Sequence, residues 1–257
     1  VASRIGEAAM QEARRARLDM GFGLDGPLPD LLTAIEGPGG AHVVVLDLAD
    51  DVAGACLQRA GLVLLFVNGR QAAVRQRFTL AHEFGHRRLG HASVVDRPAD
   101  VFGGTHDPSE VAANYFAAEF LMPGRAVRHW ARGRRVRLDE LVRLAAEYGV
   151  SAKMARIRLE TAGALRDREL AARLDAEIDE EGLHLGLAGW FGWQDLRDEL
   201  SAVSPPRIPP ALRDTALGGV LAGDLTVAQA AGRSRRTTEE MRRALADFGL
   251  DRLLPLA

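Results

Sequence analysis

In the stretch RFTLAHEFGHRRLG, residues 77–90, two histidines stand four residues apart and a glutamate follows the first. On a helix, residues four apart share one face, so His82 and His86 direct two imidazoles at one point. That is the HExxH arrangement of zinc hydrolases. Glu83 leans off the same face, placed to take a proton from a metal-bound water without being a ligand. Gly85 shares the histidine stripe and leaves room for the metal and a neighbouring helix. The alternative is an ordinary amphipathic helix that happens to carry two histidines.

A catalytic zinc needs a third protein ligand and an open position for water. A third histidine in metzincin register is absent, because those positions hold Leu89 and Ala92. A carboxylate from a following helix is available in HDPSEVAANYFAAEFLMP, residues 106–123. Asp107 as N-cap with Pro108 at the first helical position starts that helix, and Pro123-Gly124 stops it. Glu110, Asn114, Ala117 and Leu121 fall on one stripe. Glu110 is the expected third ligand, and Asn114 the outer hydrogen-bond partner that a metal-bound histidine or carboxylate needs. Glu110 could instead complete a capping box with Asp107, and one carboxylate cannot serve both roles fully.

These side chains need elements to position them. A helix is expected from about Ala8 to Asp19 and a short one after Asp30. HVVVLDL (42–48) and LVLLFVN (62–68) read as strands of a small antiparallel sheet ahead of the metal helix. The second of these could present a free edge to an extended substrate. Helices follow at about 72–89, 108–122, 138–148, 151–161 and 166–181. Few strands and then many helices argue an α+β fold. SAVSPPRIPP (201–210), with four prolines, is the best candidate linker. The expected organisation is a main domain over 1–165, a helical connector over 166–204 and a small helical domain over 205–257.

Composition narrows the setting. At 47% hydrophobic and 26% charged residues the chain reads as a soluble globular protein, and its formal net charge of −2 points globally to neither nucleic acid nor membrane. Cys56 is the single cysteine, so there is no internal disulfide and no thiol cluster for a structural metal. The first residues lack the apolar core of a signal peptide, and no stretch approaches the roughly 20 apolar residues of a membrane span. A cytoplasmic protein is expected.

Residues 138–160 have the helix, Gly149 turn and second helix of a helix-turn-helix, within a region of ten Lys/Arg against four Asp/Glu from Gly124 to Glu160. Lys153, Arg156 and Arg158 are the candidate DNA contacts; packing on the core or docking of a protein is the favoured reading. LTVAQAAGRSRRTTEEMRRALADFGL repeats that organisation near the end of the chain. The aromatic cluster GWFGW (189–193) reads as core filling.

RFTLAHEFGHRRLGH followed by EVAANYFAAEFLMP resembles the ImmA/IrrE family of cytoplasmic zinc-dependent metallopeptidases. The matching residues are Arg77, Phe78 and Thr79, then His82, Glu83 and His86, then Glu110, Asn114, Phe116, Ala117, Leu121, Met122 and Pro123. Many relatives carry a second acidic residue where this chain has Ala112. The resemblance spans roughly residues 8–165. It implies a zincin-like fold and cleavage of a helix-turn-helix transcriptional repressor, derepressing genes of a stress response or mobile-element immunity. The expected mechanism has Zn²⁺ on His82, His86 and Glu110 with water in the fourth position, and Glu83 as general base. His91, His106 and Tyr115 are candidate oxyanion partners. The runner-up is a DNA-binding regulator with a structural or vestigial zinc site.

Overall fold

The computed structural model describes residues 2–28, 30–37, 40–102, 104–180 and 206–254. The chain enters through helices α1 (Ala2–Asp19) and α2 (Leu31–Glu36). Strands β1 (His42–Leu46), β2 (Gly54–Arg59) and β3 (Leu62–Asn68) come next, then the long helix α3 (Ala73–Leu89). A three-residue strand β4 (Val94–Asp96) and helix α4 (Pro98–Phe102) lead into α5 (Pro108–Leu121). Helices α6 (Gly124–Ala131), α7 (Leu138–Tyr148), α8 (Ala152–Thr161) and α9 (Arg168–Glu180) follow, and the described C-terminal part carries α10 (Ala216–Ala222), α11 (Val227–Arg233) and α12 (Thr238–Phe248). The α+β class expected from the sequence is observed.

The sheet runs β1-β3-β2-β4 and is mixed. The two strands expected from the sequence are neighbours, but β1 pairs with β3 in parallel; the antiparallel pairs are β2–β3 and β2–β4. The missed strand β2, GACLQR, begins on small residues and ends on polar ones, so no apolar run marks it. A two-residue turn joins it to β3, with Ala60 at φ 49° and Gly61 at φ 84°. Both central residues in the left-handed region match the twist of the flanking strands. β3 is interior, so it does not offer the free edge expected of it.

The unbroken apolar run of β3 has a physical cause: both faces of the sheet are covered. Val43, Val45, Cys56, Leu65 and Val67 join one core with α1, α3 and α5. Val44, Ala55, Leu57, Leu64 and Phe66 join a second core with Leu221, Val227, Ala230, Met241 and Leu245 of α10–α12. The C-terminal helical segment thus packs on the sheet face opposite α3. Backbone bonds between Val45 and Arg207 (3.0 and 2.8 Å) cover the outer edge of β1. The cluster at 189–193 and the first half of the proline-rich stretch lie outside the described residues.

The segment 138–162 forms two helices joined at Gly149, which takes φ 63° and caps α7. Its basic side chains face inward partners. Lys153 and Arg156 both reach Asp175 of α9, at 2.7 and 2.8 Å. Arg158 is buried, donating to the Met122 carbonyl at 2.7 Å and pairing with Glu119. Glu119 also accepts from Arg14 at 2.7 Å and from the Gly124 amide, which joins α1, α5, α6 and α8 at one carboxylate.

Candidate metal centre

Helix α3 places His82, Glu83 and His86 in its most buried part, each fully shielded from solvent. Gly90, at φ 73°, ends the helix in the left-handed conformation that glycine adopts without steric cost. Gly85 lets α5 approach: a Cβ there would lie 3.0 Å from the Phe116 ring. The two imidazoles meet at their Nε2 atoms, 3.0 Å apart.

Helix α5 supplies the carboxylate facing them. Asp107 caps the helix by accepting from the Ser109 amide at 2.8 Å. The Glu110 carboxylate turns inward, with Oε2 3.1 Å from His82 Nε2 and 3.4 Å from His86 Nε2. Its side chain thus lies beside the histidines, while Asp107 caps the helix. One turn on, Asn114 Oδ1 lies 3.0 Å from His82 Nδ1. Its amide nitrogen donates to the Asp100 carbonyl at 3.0 Å, which fixes the side chain with oxygen toward the ring.

Sequence reasoning missed Asp96. It ends β4, paired opposite Gly54 of β2, and the Ala53 amide donates to its carbonyl at 2.7 Å. Its Oδ2 lies 3.3 Å from His82 Nε2 and 3.5 Å from His86 Nε2. No ligand spacing along the chain points to it, because the contact depends on sheet register. The donor atoms of His82, His86, Asp96 and Glu110 all lie within 4.8 Å of one another.

His91 is the other residue whose place the sequence left open. Its Nδ1 lies 2.9 Å from His86 Nδ1. Burial and the neighbouring His86 lower its pKa, and the two Nδ1 atoms are close enough to share one hydrogen, with the donor set by the tautomers of the rings. The remaining oxyanion candidates are not brought into the cluster. Tyr115 packs its ring on Gly6 of α1, where a Cβ would lie 2.9 Å away, and His106 is exposed ahead of α5.

Glu83 stands beside the cluster with both carboxylate oxygens buried and without a hydrogen-bond partner. Burial, reinforced by the nearby Asp96 carboxylate, pushes its pKa well above the usual carboxylate range. Gly54 makes its place: a Cβ there would lie 2.5 Å from Glu83 Oε1. Glu110 moves the other way. Burial opposes its ionisation, but hydrogen bonds to His82 and His86 outweigh that and hold it at about 2. For His82, burial favours the neutral ring, and Asp96 and Glu110 overcome it and raise the pKa.

A divalent cation fits this donor set. Were a cation to replace the Nε2 protons that meet the carboxylates, with the ring hydrogens kept on Nδ1 toward Asn114 and His91, both Nε2 lone pairs would point at one spot. Lone pairs 3.0 Å apart repel unless a proton or a cation lies between them. Two imidazoles and two carboxylates are ligands that zinc accepts. Asp96 Oδ2, buried without a hydrogen-bond partner, is the kind of acceptor a cation would satisfy.

An HExxH helix lying against a small sheet, with a carboxylate from a following helix completing the cluster, defines a zincin-like metallopeptidase domain. Residues 41–160 match the family model described as the IrrE N-terminal-like domain of the M78 peptidases. The chain therefore carries a domain of the ImmA/IrrE family. No curated protein matches the chain by sequence. Among the described residues no helix is long and apolar enough to cross a membrane.

Proposed function

We propose that this protein is a zinc-dependent endopeptidase that cleaves a helix-turn-helix transcriptional repressor and so derepresses its target genes, in a stress response or mobile-element immunity. The observation that carries the catalytic part is Glu83, a buried carboxylate with no structural partner beside a cluster of metal-binding groups. A purely structural zinc site has no use for such a group. The repressor rests on the family alone. A cytoplasmic setting accords with the single, buried cysteine.

His82, His86 and Glu110 would hold the metal, with Asn114 and His91 orienting the two rings through their Nδ1 atoms. Zinc bound there would polarise the scissile carbonyl and bring the pKa of water from 15.7 to about 7. Glu83 takes the proton from the attacking water and passes it to the leaving amine. Among the described strands β4 is paired only with β2, so its other side is an edge to which an extended substrate segment can add. The regulator reading loses support, because Lys153, Arg156 and Arg158 are engaged by Asp175, Glu160 and Glu119.

Elemental analysis of the wild type beside Glu83→Gln and Glu110→Ala tests the centre. One zinc per chain is expected in the first two, with loss or marked weakening in the third. Co-expression with candidate helix-turn-helix repressors then tests the substrate. Cleavage by the wild type and none by Glu83→Gln is expected; an intact repressor in both, with zinc bound, would overturn the substrate assignment.

A further inference from the structure

We propose that Asp96 is a fourth protein ligand that closes this centre at rest, so that catalysis requires its carboxylate to leave the metal. The proposal rests on the metal-site reading above and goes beyond it, since an open site keeps its fourth position for water or substrate.

Distances carry the argument. A regular tetrahedron with bonds of about 2.0–2.1 Å has edges of about 3.3–3.4 Å. Between His82 Nε2, His86 Nε2, Glu110 Oε2 and Asp96 Oδ2, five edges measure 3.0, 3.1, 3.3, 3.4 and 3.5 Å. The two edges from Asp96 to the histidines match those from Glu110, and all four donor atoms lie within 4.8 Å of one another, so Asp96 Oδ2 stands within ligand reach of the point that the other three face.

The pleat aims it there. Along β4, Val94 packs with the core on the α3 side of the sheet and Val95 with the core on the opposite side. Alternation returns Asp96 to the α3 side. Its Oδ2 is buried and faces only the two imidazole Nε2 atoms, which is costly for a carboxylate unless a proton or a cation lies between them.

Four protein ligands mark a structural zinc, whereas the unpartnered Glu83 marks a catalytic one. A closed state that opens reconciles them, and the fold indicates which ligand moves. His82, His86 and Glu110 stand on α3 and α5, which are joined by the Phe84 ring of α3 meeting Phe116 edge-on and Phe120 at a tilt on α5. Asp96 ends a three-residue strand paired on one side, directly before α4. It is also the ligand borne by the edge that an extended substrate would load.

Two readouts on the full chain test this without any turnover. Zinc affinity, by competition with a chromophoric chelator, is compared for wild type, Asp96→Asn and a His82→Ala control. Acetohydroxamate is then titrated into the Co²⁺-loaded proteins while the visible absorption is followed. Asp96→Asn is expected to lose about tenfold or more in zinc affinity and to bind acetohydroxamate about tenfold more tightly than wild type. Zinc and acetohydroxamate affinities within about twofold of wild type would overturn the proposal while leaving the three-ligand site intact. Equal zinc binding by wild type and His82→Ala would instead sink the metal site itself. Should Asp96→Asn not fold, the wild type decides alone: a Co²⁺ spectrum indifferent to millimolar acetohydroxamate supports closure, and a ready spectral change refutes it.

Discussion

Gly54 Cα and the Glu83 carboxylate are in such close register that a single methyl group on Gly54 would lie 2.5 Å from Glu83 Oε1. It would also lie 2.5 Å from Thr79 Cγ2 and 2.8 Å from the Phe66 carbonyl. A contact to backbone cannot be relieved by a rotamer change. Gly54→Ala is therefore expected to cost about 1–3 kcal/mol, as overpacking does, and to displace the base. Urea unfolding and a cleavage assay on the same preparation check both effects. Unchanged stability with full activity would show that β2 yields there.

In chelated protein, Glu83→Gln should alter how stability varies with pH. Glu83 has its folded pKa raised far above 4.5, chiefly by burial, so the fold favours the protonated carboxyl. Stability is then lost as pH climbs above 4.5 toward the folded value, and a neutral glutamine escapes that loss. The melting temperature of Glu83→Gln relative to wild type is expected to rise as pH climbs from about 5 toward the raised folded pKa of Glu83. A constant offset across that range would refute the assignment.

Asn114 and His91 touch the histidine rings from outside, at 3.0 and 2.9 Å. Asn114→Ala and His91→Ala should each weaken zinc binding by about 10–100-fold without abolishing it, because they release ring orientation and keep every ligand. Calorimetric zinc titration reads this directly. Affinity equal to wild type in both would mean that the rings are held by packing alone.

Glu119 and Arg158 form a buried pair, at 1% and 3% side-chain exposure, where helices α1, α5, α6 and α8 meet. Glu119→Gln leaves Arg158 charged and unmatched, at an expected cost of about 3–5 kcal/mol. Joint replacement by Glu119→Leu and Arg158→Met should recover much of that loss. A double-mutant cycle by urea denaturation measures the coupling; additive losses would show the two residues to be independent.

How much of this was legible depended on distance along the chain. Helices α3, α5, α7 and α8 were expected to within a residue or two, because caps such as Asp107 and Ser151 and the stop at Gly149 are local signals. Strand β2 was hidden because GACLQR has no apolar period of its own. The direction of the β1–β3 pair was hidden too, since two apolar runs look the same parallel or antiparallel until a third strand comes between them in sequence.

The sequence by itself determined that His82, Glu83 and His86 share one face of a helix and that Glu110 and Asn114 share another, since helical periodicity acts over a single turn. Only the tertiary structure decided that Glu110 faces the histidines and leaves capping to Asp107. It likewise decided that His91 backs His86, that Lys153, Arg156 and Arg158 point at internal carboxylates, and that Asp96 reaches the centre from the end of a three-residue strand. Such contacts are set by strand register and by helix packing, which sum interactions across the whole core and leave no mark on any short stretch of the chain.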